Sequence, residues 1–390
     1  MLNRPSFILY LPILLLPTFL VRFKIGSLAV NILDLALLVV ILFQLPSLWT
    51  YLKRAYTTPL VVISSLILLT ALVATLIAPD HSLAFGAFKS WFLLPILYAW
   101  TLAAAGPLSL QLISEAWLLN LGLASVYGLG LMLSTHATRL TSWYDSPNFF
   151  AMASVPVLLL TTPVLWRKQP KQFWSRLTFF RVLWLLTALA FLLTISLGGY
   201  LSAVIGTAVF FIIRLRQRVP LYTIMTVVVL CLISIPFVSP GHLTPSSFGD
   251  RSESAKGRNQ IWAASRILLN EHPILGIGLR QFDRYYQGTI LRVTQLPVEK
   301  SVPEPHNLFL ALWLNLGLLG VGLFLWLYGL LILKLPTHPT WEVAALIAAA
   351  IAIIAHGIVD SPYFNNDLAV LFWIVWTLVL PILKAQKARE

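Results

Sequence analysis

The chain has 390 residues, of which 58% are hydrophobic and 11% are charged, and its formal net charge is +13. A mean hydropathy of +0.85 is far above the range of soluble globular proteins, so an ordinary soluble domain is excluded. The positive charge does not indicate nucleic-acid binding, which would require one contiguous basic face with interleaved aromatic residues. We interpret the sequence as that of an integral membrane protein.

Apolar windows of about 18 or more residues recur along the chain, and each is long enough as a helix to cross a hydrocarbon core of about 30 Å. Because transmembrane barrels use weaker, alternating segments, we predict an all-α, polytopic fold forming one membrane domain over residues 1–390. About twelve spans are predicted, at residues 6–21, 28–45, 59–78, 88–105, 110–134, 149–166, 182–197, 199–213, 220–238, 307–333, 341–359 and 367–383. The fourth is the weakest, because Lys89 stands at its start and Pro95 interrupts it.

Lys and Arg residues are divided unevenly between the two sets of predicted loops. If both termini are cytoplasmic, the short outer loops contain only Arg22, Lys24 and Arg139, with Lys89 at a boundary. Cytoplasmic loops carry the excess of positive charge, so this arrangement predicts the orientation of the chain. It places residues 239–305 outside the cytoplasm, and it makes the net charge mainly a topology signal with some attraction to anionic membrane lipids.

The large outer loop at residues 239–305 contains eight of the 27 basic and six of the 14 acidic residues, and we expect an active site there. Within it, Gly257 and Gly276 each precede apolar residues at helical spacing. This pattern predicts two short amphipathic helices lying along the membrane surface, the second ending at Gly288.

Arg258 and Arg280 would then fall in the first turns of these two helices. Free N–H groups and the helix dipole attract anions to such positions, and an arginine can hold two phosphate oxygens at once. Both arginines are therefore candidate pyrophosphate ligands. The alternative is that they anchor the helices to lipid head groups or pair with the acidic residues of the loop, namely Asp250, Glu253, Glu271 and Asp283.

His306 and Asn307 directly precede the tenth predicted span. The dipole of that helix and the nearby arginines disfavour imidazolium, so we expect His306 to be mainly neutral near pH 7, as a general base requires. The alternative is an interfacial histidine that caps the helix or meets lipid. The other six histidines form no pair with metal-ligand spacing, so no metal site is predicted.

Three further groups of polar residues face the same side as the large loop. They are residues 142–149, which include Asp145 and Asn148; the turn at residues 196–200; and residues 360–362, which begin with Asp360. Polar residues at a membrane boundary are costly and often functional, but Asp145 and Asp360 would serve equally well as helix caps.

Six short motifs occur in a characteristic order along residues 140–375. They are Ser146-Pro147-Asn148, Ser196-x-Gly198-Gly199, Gly257-Arg258-x-x-x-Trp262, Pro273-x-x-Gly276-x-Gly278-x-x-x-Phe282, Pro305-His306-Asn307 and Asp360-x-Pro362. In this order, and on one side of a twelve-helix frame, they resemble the O-antigen ligase family and its relatives, the polysaccharide polymerases and the bacterial protein O-oligosaccharyltransferases.

The resemblance implies a glycosyltransferase of the bacterial inner membrane that takes a glycan from an undecaprenyl-pyrophosphate donor on the periplasmic face, by inversion and without a metal or other cofactor. The acceptor would be lipid A-core in a ligase, or another lipid-linked glycan in a polymerase. His306 matches the family's histidine, the presumed base, and Arg258 matches an arginine expected to bind the diphosphate. Arg280 and Lys89 are further diphosphate candidates by position.

Two points bear on the details of the site. Many members of the family have an arginine where this chain has Leu197. If that arginine binds phosphate in those members, either Arg139 or Arg280 would have to compensate here, or the donor is held differently. Glu304 is a candidate for orienting His306, although Pro305 separates the two.

A membrane transporter or lipid flippase is the alternative from another functional class. Its signature would be ionisable residues near the middle of several spans. Here only Asp34 and Glu115 are acidic residues within or near the inner parts of spans, which favours an enzyme acting at the membrane surface.

Overall fold

The computed structural model describes residues 7–26, 28–106, 108–166, 174–215, 245–333 and 339–387. Its regular structure is almost entirely helical, which confirms the predicted all-α class in its coarse form. The helices are α1 (Leu11–Leu14), α2 (Ile32–Phe43), α3 (Leu45–Ala55), α4 (Pro59–Leu76), α5 (His81–Ala87), α6 (Leu94–Ala104), α7 (Leu110–Thr135), α8 (Pro147–Trp166), α9 (Trp174–Leu193), α10 (Leu197–Leu215), α11 (Pro245–Glu271), α12 (Phe282–Val293), α13 (Leu308–Leu333), α14 (Trp341–His356) and α15 (Asn366–Lys387).

Among the described residues, seven helical segments are long and apolar enough to cross a membrane, and the pair α2 and α3, bent by 74°, would make eight. One of the seven is His81–Ala104, in which a π-helical turn, Phe88–Leu93, joins α5 to α6. α14 and the first part of α15 are shorter apolar helices. The predicted span at residues 220–238 lies outside the described residues, so the total of twelve stays a prediction.

The N-terminal region differs from the two predicted spans at residues 6–21 and 28–45. The first consists of α1 flanked by two short 3-10 helices, Phe7–Tyr10 and Leu16–Leu20. A β-hairpin follows, in which β1 (Arg22–Ile25) pairs antiparallel with β2 (Leu28–Asn31), so the second predicted span begins as a strand. Hydropathy alone did not separate these short elements from a continuous helix.

The core of the helical bundle lies around α14 and α15. The alanine-rich α14 packs mainly against α8 and α10, and small side chains allow such close approach between membrane helices. Tyr363, in the loop between α14 and α15, is fully buried and its hydroxyl donates to the carbonyl of Trp91 at 2.6 Å. That contact fixes the loop carrying Asp360 against the π-helical turn.

The large loop is built differently from the prediction of two short helices. α11 is 27 residues long and contains Gly257 and Arg258 in its interior, while α12 begins at Phe282 and continues through Gly288 to Val293. The predicted helix starts at Gly257 and Gly276, and the predicted end at Gly288, are therefore wrong. A glycine inside a helix costs only about 1 kcal/mol relative to alanine, which the rest of α11 can offset.

Gly276 has another role, because it brings the backbone of the loop directly onto α13. Its φ is +70°, and a Cβ added there would lie 2.3 Å from the carbonyl oxygen of Leu314. The N–H of Ile277 donates to this same oxygen at 2.8 Å. Only glycine permits both the left-handed conformation and this close approach.

Candidate functional site

A hydrogen bond between His306 and Asp360 forms the centre of the candidate site. His306 Nδ1 lies 3.0 Å from Asp360 Oδ1, and the two side chains are 31% and 6% exposed, respectively. Asp360 also accepts from the backbone N–H of Ser361 at 2.9 Å and from Asn148 Nδ2 at 3.0 Å. The carboxylate is thus held from three sides, and it directs the histidine ring.

The two groups shift each other's pKa in opposite directions. Burial by itself would raise the pKa of Asp360, but the hydrogen bond and charge of His306 lower it below its usual range. Burial opposes the charged form of His306, yet the hydrogen bond and charge of Asp360 outweigh it and raise the pKa of the imidazole above its ordinary value. Glu299 acts in the same direction and Arg258 in the opposite one.

The direction of this shift corrects the expectation that the helix dipole and the arginines would lower the pKa of His306. The sequence did not reveal that Asp360 would lie against the ring. Because the carboxylate accepts at Nδ1, that nitrogen carries the proton in the neutral histidine, and Nε2 is left with its lone pair. Nε2 is therefore the basic atom.

Asn307 caps the helix that begins directly after it. Its Oδ1 accepts from the N–H groups of Phe309 and Leu310, each at 3.0 Å. Its Nδ2 donates at 2.7 Å to the carbonyl of Ile358, which lies two residues before Asp360. An asparagine cap satisfies backbone donors at the start of α13 and ties that start to the loop after α14.

Arg139 extends the hydrogen-bonded chain outward from Asp360. One guanidinium N–H is 3.4 Å from the Oδ1 of Asn148, the residue that donates to Asp360. The same guanidinium donates to the carbonyls of Thr194 and Ile195, at 2.9 and 3.5 Å. Arg139 therefore lies against the turn that precedes Leu197.

The turn before α10 is packed tightly against the end of α14. Ser196 Oγ accepts from the N–H of Gly199 at 3.2 Å. A Cβ on Gly198 would lie 2.7 Å from Val359 Cγ2 and 2.9 Å from His356 Nε2. The glycine in the Ser-x-Gly-Gly motif thus allows α10 to approach the segment that carries Asp360.

Helix α11 brings Arg258 close enough to His306 to act on its charge. Trp262, one turn along the helix from Arg258, donates its Nε1–H to the carbonyl of Pro305 at 3.1 Å, with the carbonyl of His306 at 3.4 Å. The charge of Arg258 is close enough to oppose protonation of His306. Arg258 reaches the site from the middle of a helix, so its predicted place in a helix N-terminus is wrong although it lies beside the predicted histidine.

Arg280 occupies a second basic position, in the loop between α11 and α12. Its backbone has a φ of +57°, and its guanidinium lies 4.9 Å above the centre of the Trp91 ring. Burial lowers its pKa, the charge of Glu304 raises it, and the charge of Arg22 lowers it. Arg280 precedes α12 and its N-cap Gln281, so it too lies outside the predicted first helical turn.

Glu304 contacts Asn315 rather than His306. Its Oε2 accepts from Asn315 Nδ2 at 3.1 Å. Burial raises the pKa of Glu304 to about 8, against the opposing charge of Arg280, the hydrogen bond from Asn315 and the charge of His306. The charges of Arg280 and His306 therefore both act on this buried carboxyl.

Lys89 and Asp145 are not joined to the histidine centre by any hydrogen bond or ion pair in the described part of the chain. Lys89 Nζ binds Asp34 Oδ2 at 2.7 Å and the carbonyl of Ala29 at 2.6 Å, which neutralises its charge. Asp145 is exposed in the loop before α8. Two of the four acids considered as partners of the arginines bind other residues: Glu271 binds Arg292, and Asp283 accepts from Ser301. The side chains of Asp250 and Glu253 lie outside the described part of the structure.

Three residues beside the site were not predicted from the sequence. Trp91 supports Arg280, Asn315 contacts both the Arg280 backbone and Glu304, and the carboxylate of Glu299 lies beside Gly257. Asn315 could have been found, because it is an amide within the otherwise apolar sequence of α13. Trp91 and Glu299 carry no comparable signal. Among the described residues, no group of three His, Cys, Asp or Glu side chains is arranged to hold a metal ion.

Comparison with known proteins adds one finding. Residues 182–325 match the family model described as O-antigen ligase. The matched segment contains Arg258, Arg280, Glu304 and His306, whereas Asp360 lies beyond it. This match supports the family assignment that the order of motifs indicated. No curated protein matches the chain.

Proposed function

We propose that this chain, which its motifs and its family match assign to the O-antigen ligase family, is a membrane glycosyltransferase that transfers a glycan from undecaprenyl pyrophosphate to an acceptor hydroxyl. The acceptor that we favour is lipid A-core, which makes the protein an O-antigen ligase. The observation that carries the proposal is the 3.0 Å hydrogen bond between His306 and Asp360 beside Arg258.

His306 is assigned the role of general base. Its Nε2 takes the proton of the acceptor hydroxyl as the acceptor oxygen forms a bond to the anomeric carbon. Asp360 holds the ring in the required tautomer and stabilises the imidazolium that results. General base catalysis of this kind contributes about 10²–10⁴-fold to a rate.

Arginines are assigned to the leaving group. The bond between the anomeric carbon and the phosphate oxygen breaks with its electron pair on that oxygen, and Arg258 and Arg280 stabilise the negative charge of the departing diphosphate. Fixed cations in a water-poor site are effective in this role. A single displacement inverts the anomeric carbon and needs no metal when arginines supply the positive charge.

Arg139 is the candidate replacement for the arginine that is absent at Leu197. Its guanidinium lies against the carbonyls of Thr194 and Ile195, directly before that position. Its bond to Asn148 also links it to Asp360. A cation is thus present beside the turn, although it comes from the loop before α8.

The membrane placement follows from the charge distribution. We assign the chain to the bacterial inner membrane with both termini cytoplasmic and with His306, Asp360 and Arg258 on the periplasmic face. Asp34 and Glu115, the two acids available to a transporter, contact Lys89 and Arg176, respectively. Acids held by cations favour a structural role over an ion pathway.

Two experiments test the proposal. A deletion strain should lose all polymer from lipid A-core, whereas single repeat units remaining on that acceptor would indicate a polymerase of the same family. Purified protein in lipid vesicles should transfer glycan from the undecaprenyl-pyrophosphate donor in the presence of EDTA. Inhibition by EDTA that added metal reverses would contradict the metal-free reaction, and accumulation of translocated donor without transfer would indicate a flippase.

A further inference from the structure

Arg280, Asn315 and Glu304 are linked by hydrogen bonds; Asn315 and Glu304 are buried and Arg280 is partly exposed. The backbone N–H of Arg280 donates to Asn315 Oδ1 at 2.6 Å, and Asn315 Nδ2 donates to Glu304 Oε2 at 3.1 Å. The φ of +57° at Arg280 is a conformation that residues other than glycine rarely adopt. Contacts of this kind are needed to maintain such a conformation.

The amide of Asn315 has only one orientation that satisfies its neighbours. Its oxygen faces the N–H donor of Arg280, while its nitrogen faces the carboxyl of Glu304 and the carbonyl of Ala311, the latter at 2.9 Å. A flipped amide would oppose donor to donor and acceptor to acceptor. Glu304 therefore fixes the amide, and the amide fixes the backbone of Arg280.

We propose that Glu304 is a positioning residue for Arg280: through Asn315 it holds the arginine over Trp91, where the guanidinium meets an anionic diphosphate. The inference rests on the proposed function, because it takes Arg280 to contact the diphosphate of the donor. It assigns Glu304 to the arginine, where the sequence had suggested His306.

The charge state of Glu304 then affects anion binding. The side chain is buried, and among the described residues its Oε1 has no hydrogen-bond partner. The groups that face it are Arg280 and His306 from the loops and the neutral Asn315 from α13, with Arg22 of β1 acting on Arg280. Burial raises the pKa of Glu304 to about 8, so the carboxyl is mainly neutral at pH 7 and ionised at pH 9.

An ionised Glu304 would neutralise Arg280 and compete with the diphosphate. Affinity for the anion is therefore expected to fall as the pH rises through about 8. Glu304→Gln keeps an oxygen that accepts from Asn315 and removes the titrating proton. The variant should bind the anion equally well below pH 8 and lose the decline above it.

The test uses purified full-length protein and inorganic pyrophosphate as the probe, with binding measured by calorimetry from pH 6.5 to 9.5. Because His306 also titrates, the comparison is made in a His306→Asn background, with and without Glu304→Gln. Without the second change, affinity should fall by about tenfold between pH 7 and pH 9, since one adjacent charge changes a neighbouring equilibrium by about that factor. The ionisation of pyrophosphate itself is common to both proteins and cancels in the ratio of their affinities.

A ratio that does not change with pH would overturn the role of Glu304. The matched control is Glu299→Gln, which removes an acid near His306 that has no bond to Asn315, and it should keep the decline. If Glu304→Gln does not fold, the ratio is taken to a His306→Asn protein that also carries Arg280→Gln and so lacks the cation that Glu304 would neutralise; a ratio that is constant between pH 7 and pH 9 also contradicts the inference. Failure to bind pyrophosphate at any pH would instead count against the proposed function.

Discussion

The hydrogen bonds around Asp360 predict that Asp360→Asn inactivates the enzyme although the substitution is isosteric. The carboxylate accepts from three donors, His306 Nδ1, the Ser361 N–H and Asn148 Nδ2, at 3.0, 2.9 and 3.0 Å. An asparagine offers one oxygen and one NH₂ group, so it cannot accept on both sides. In one orientation the new NH₂ group faces the NH₂ group of Asn148. In the other it faces His306 Nδ1 and requires the imidazole proton to move to Nε2.

The expected size of the effect follows from these two orientations. If the amide NH₂ faces His306, it requires a lone pair at Nδ1, so the proton moves to Nε2 and the base is lost, which corresponds to about 10²–10⁴-fold in kcat. If the oxygen faces His306, the NH₂ group of Asn148 loses its acceptor, which costs about 1–3 kcal/mol of folding free energy. In either orientation the imidazolium that forms on His306 loses the negative charge of Asp360, so we expect activity to fall more than stability.

Glycan transfer by purified protein in lipid vesicles gives kcat, and thermal unfolding gives the stability of the same preparation. Asp283→Asn is the matched control, because Asp283 accepts from Ser301 and from the N–H of Val302 outside the histidine centre. An Asp360→Asn protein with kcat within about threefold of the wild type, in an assay where His306→Asn is inactive, would refute the orienting role of Asp360.

Three further predictions follow from the same geometry. Because Asp360 raises the pKa of His306, kcat/KM should rise with pH through a value above the ordinary histidine pKa of about 6.5, and a limb below that value in the pH profile would contradict it. Arg258→Ala should raise the KM for donor more than Arg258→Lys does, because lysine keeps the charge but loses the planar fork; equal KM values for both variants and wild type would count against diphosphate binding. Gly198→Ala should lower stability by about 1–3 kcal/mol in thermal unfolding, because the new methyl group would lie 2.7 Å from a neighbouring carbon, whereas Gly130→Ala, which has no atom within 4 Å, should not.

The long apolar helices could be predicted from the sequence because their length is set by the membrane. The span predicted at residues 59–78 is α4, Pro59–Leu76, and the span at 307–333 is α13, Leu308–Leu333. The β-hairpin at Arg22–Asn31 was not predicted, because each strand is only four residues long, the first falls in the polar break between two predicted spans and the second lies within the apolar run that follows. The composition of a segment is therefore enough to predict a long apolar helix, whereas it does not show which short segments pair as strands.

The members of the candidate site could be predicted better than their contacts. Motif order selected His306, Arg258 and Asp360, but nothing in a single sequence joins His306 to a residue 54 positions away. Arg280 was predicted in the first turn of a helix beginning near Gly276. That prediction was wrong because Gly276 instead allows the loop backbone to contact α13, and the helix begins only at Phe282. The role of Glu304 depends on Asn315, eleven positions further on, and it became visible only once the two side chains were in contact.

The most direct test of the central claim is single-turnover glycan transfer by a His306→Asn protein that still binds its donor. Asparagine tolerates the left-handed backbone at this position, where φ is +48°, and its amide can donate to Asp360 but cannot take a proton from an acceptor. His272→Asn, on a histidine that packs against Tyr285, is the matched control. The general-base role of His306 predicts that His306→Asn binds donor normally and transfers glycan about 10²-fold more slowly or worse, with wild-type transfer in the control. Wild-type transfer by His306→Asn would contradict it.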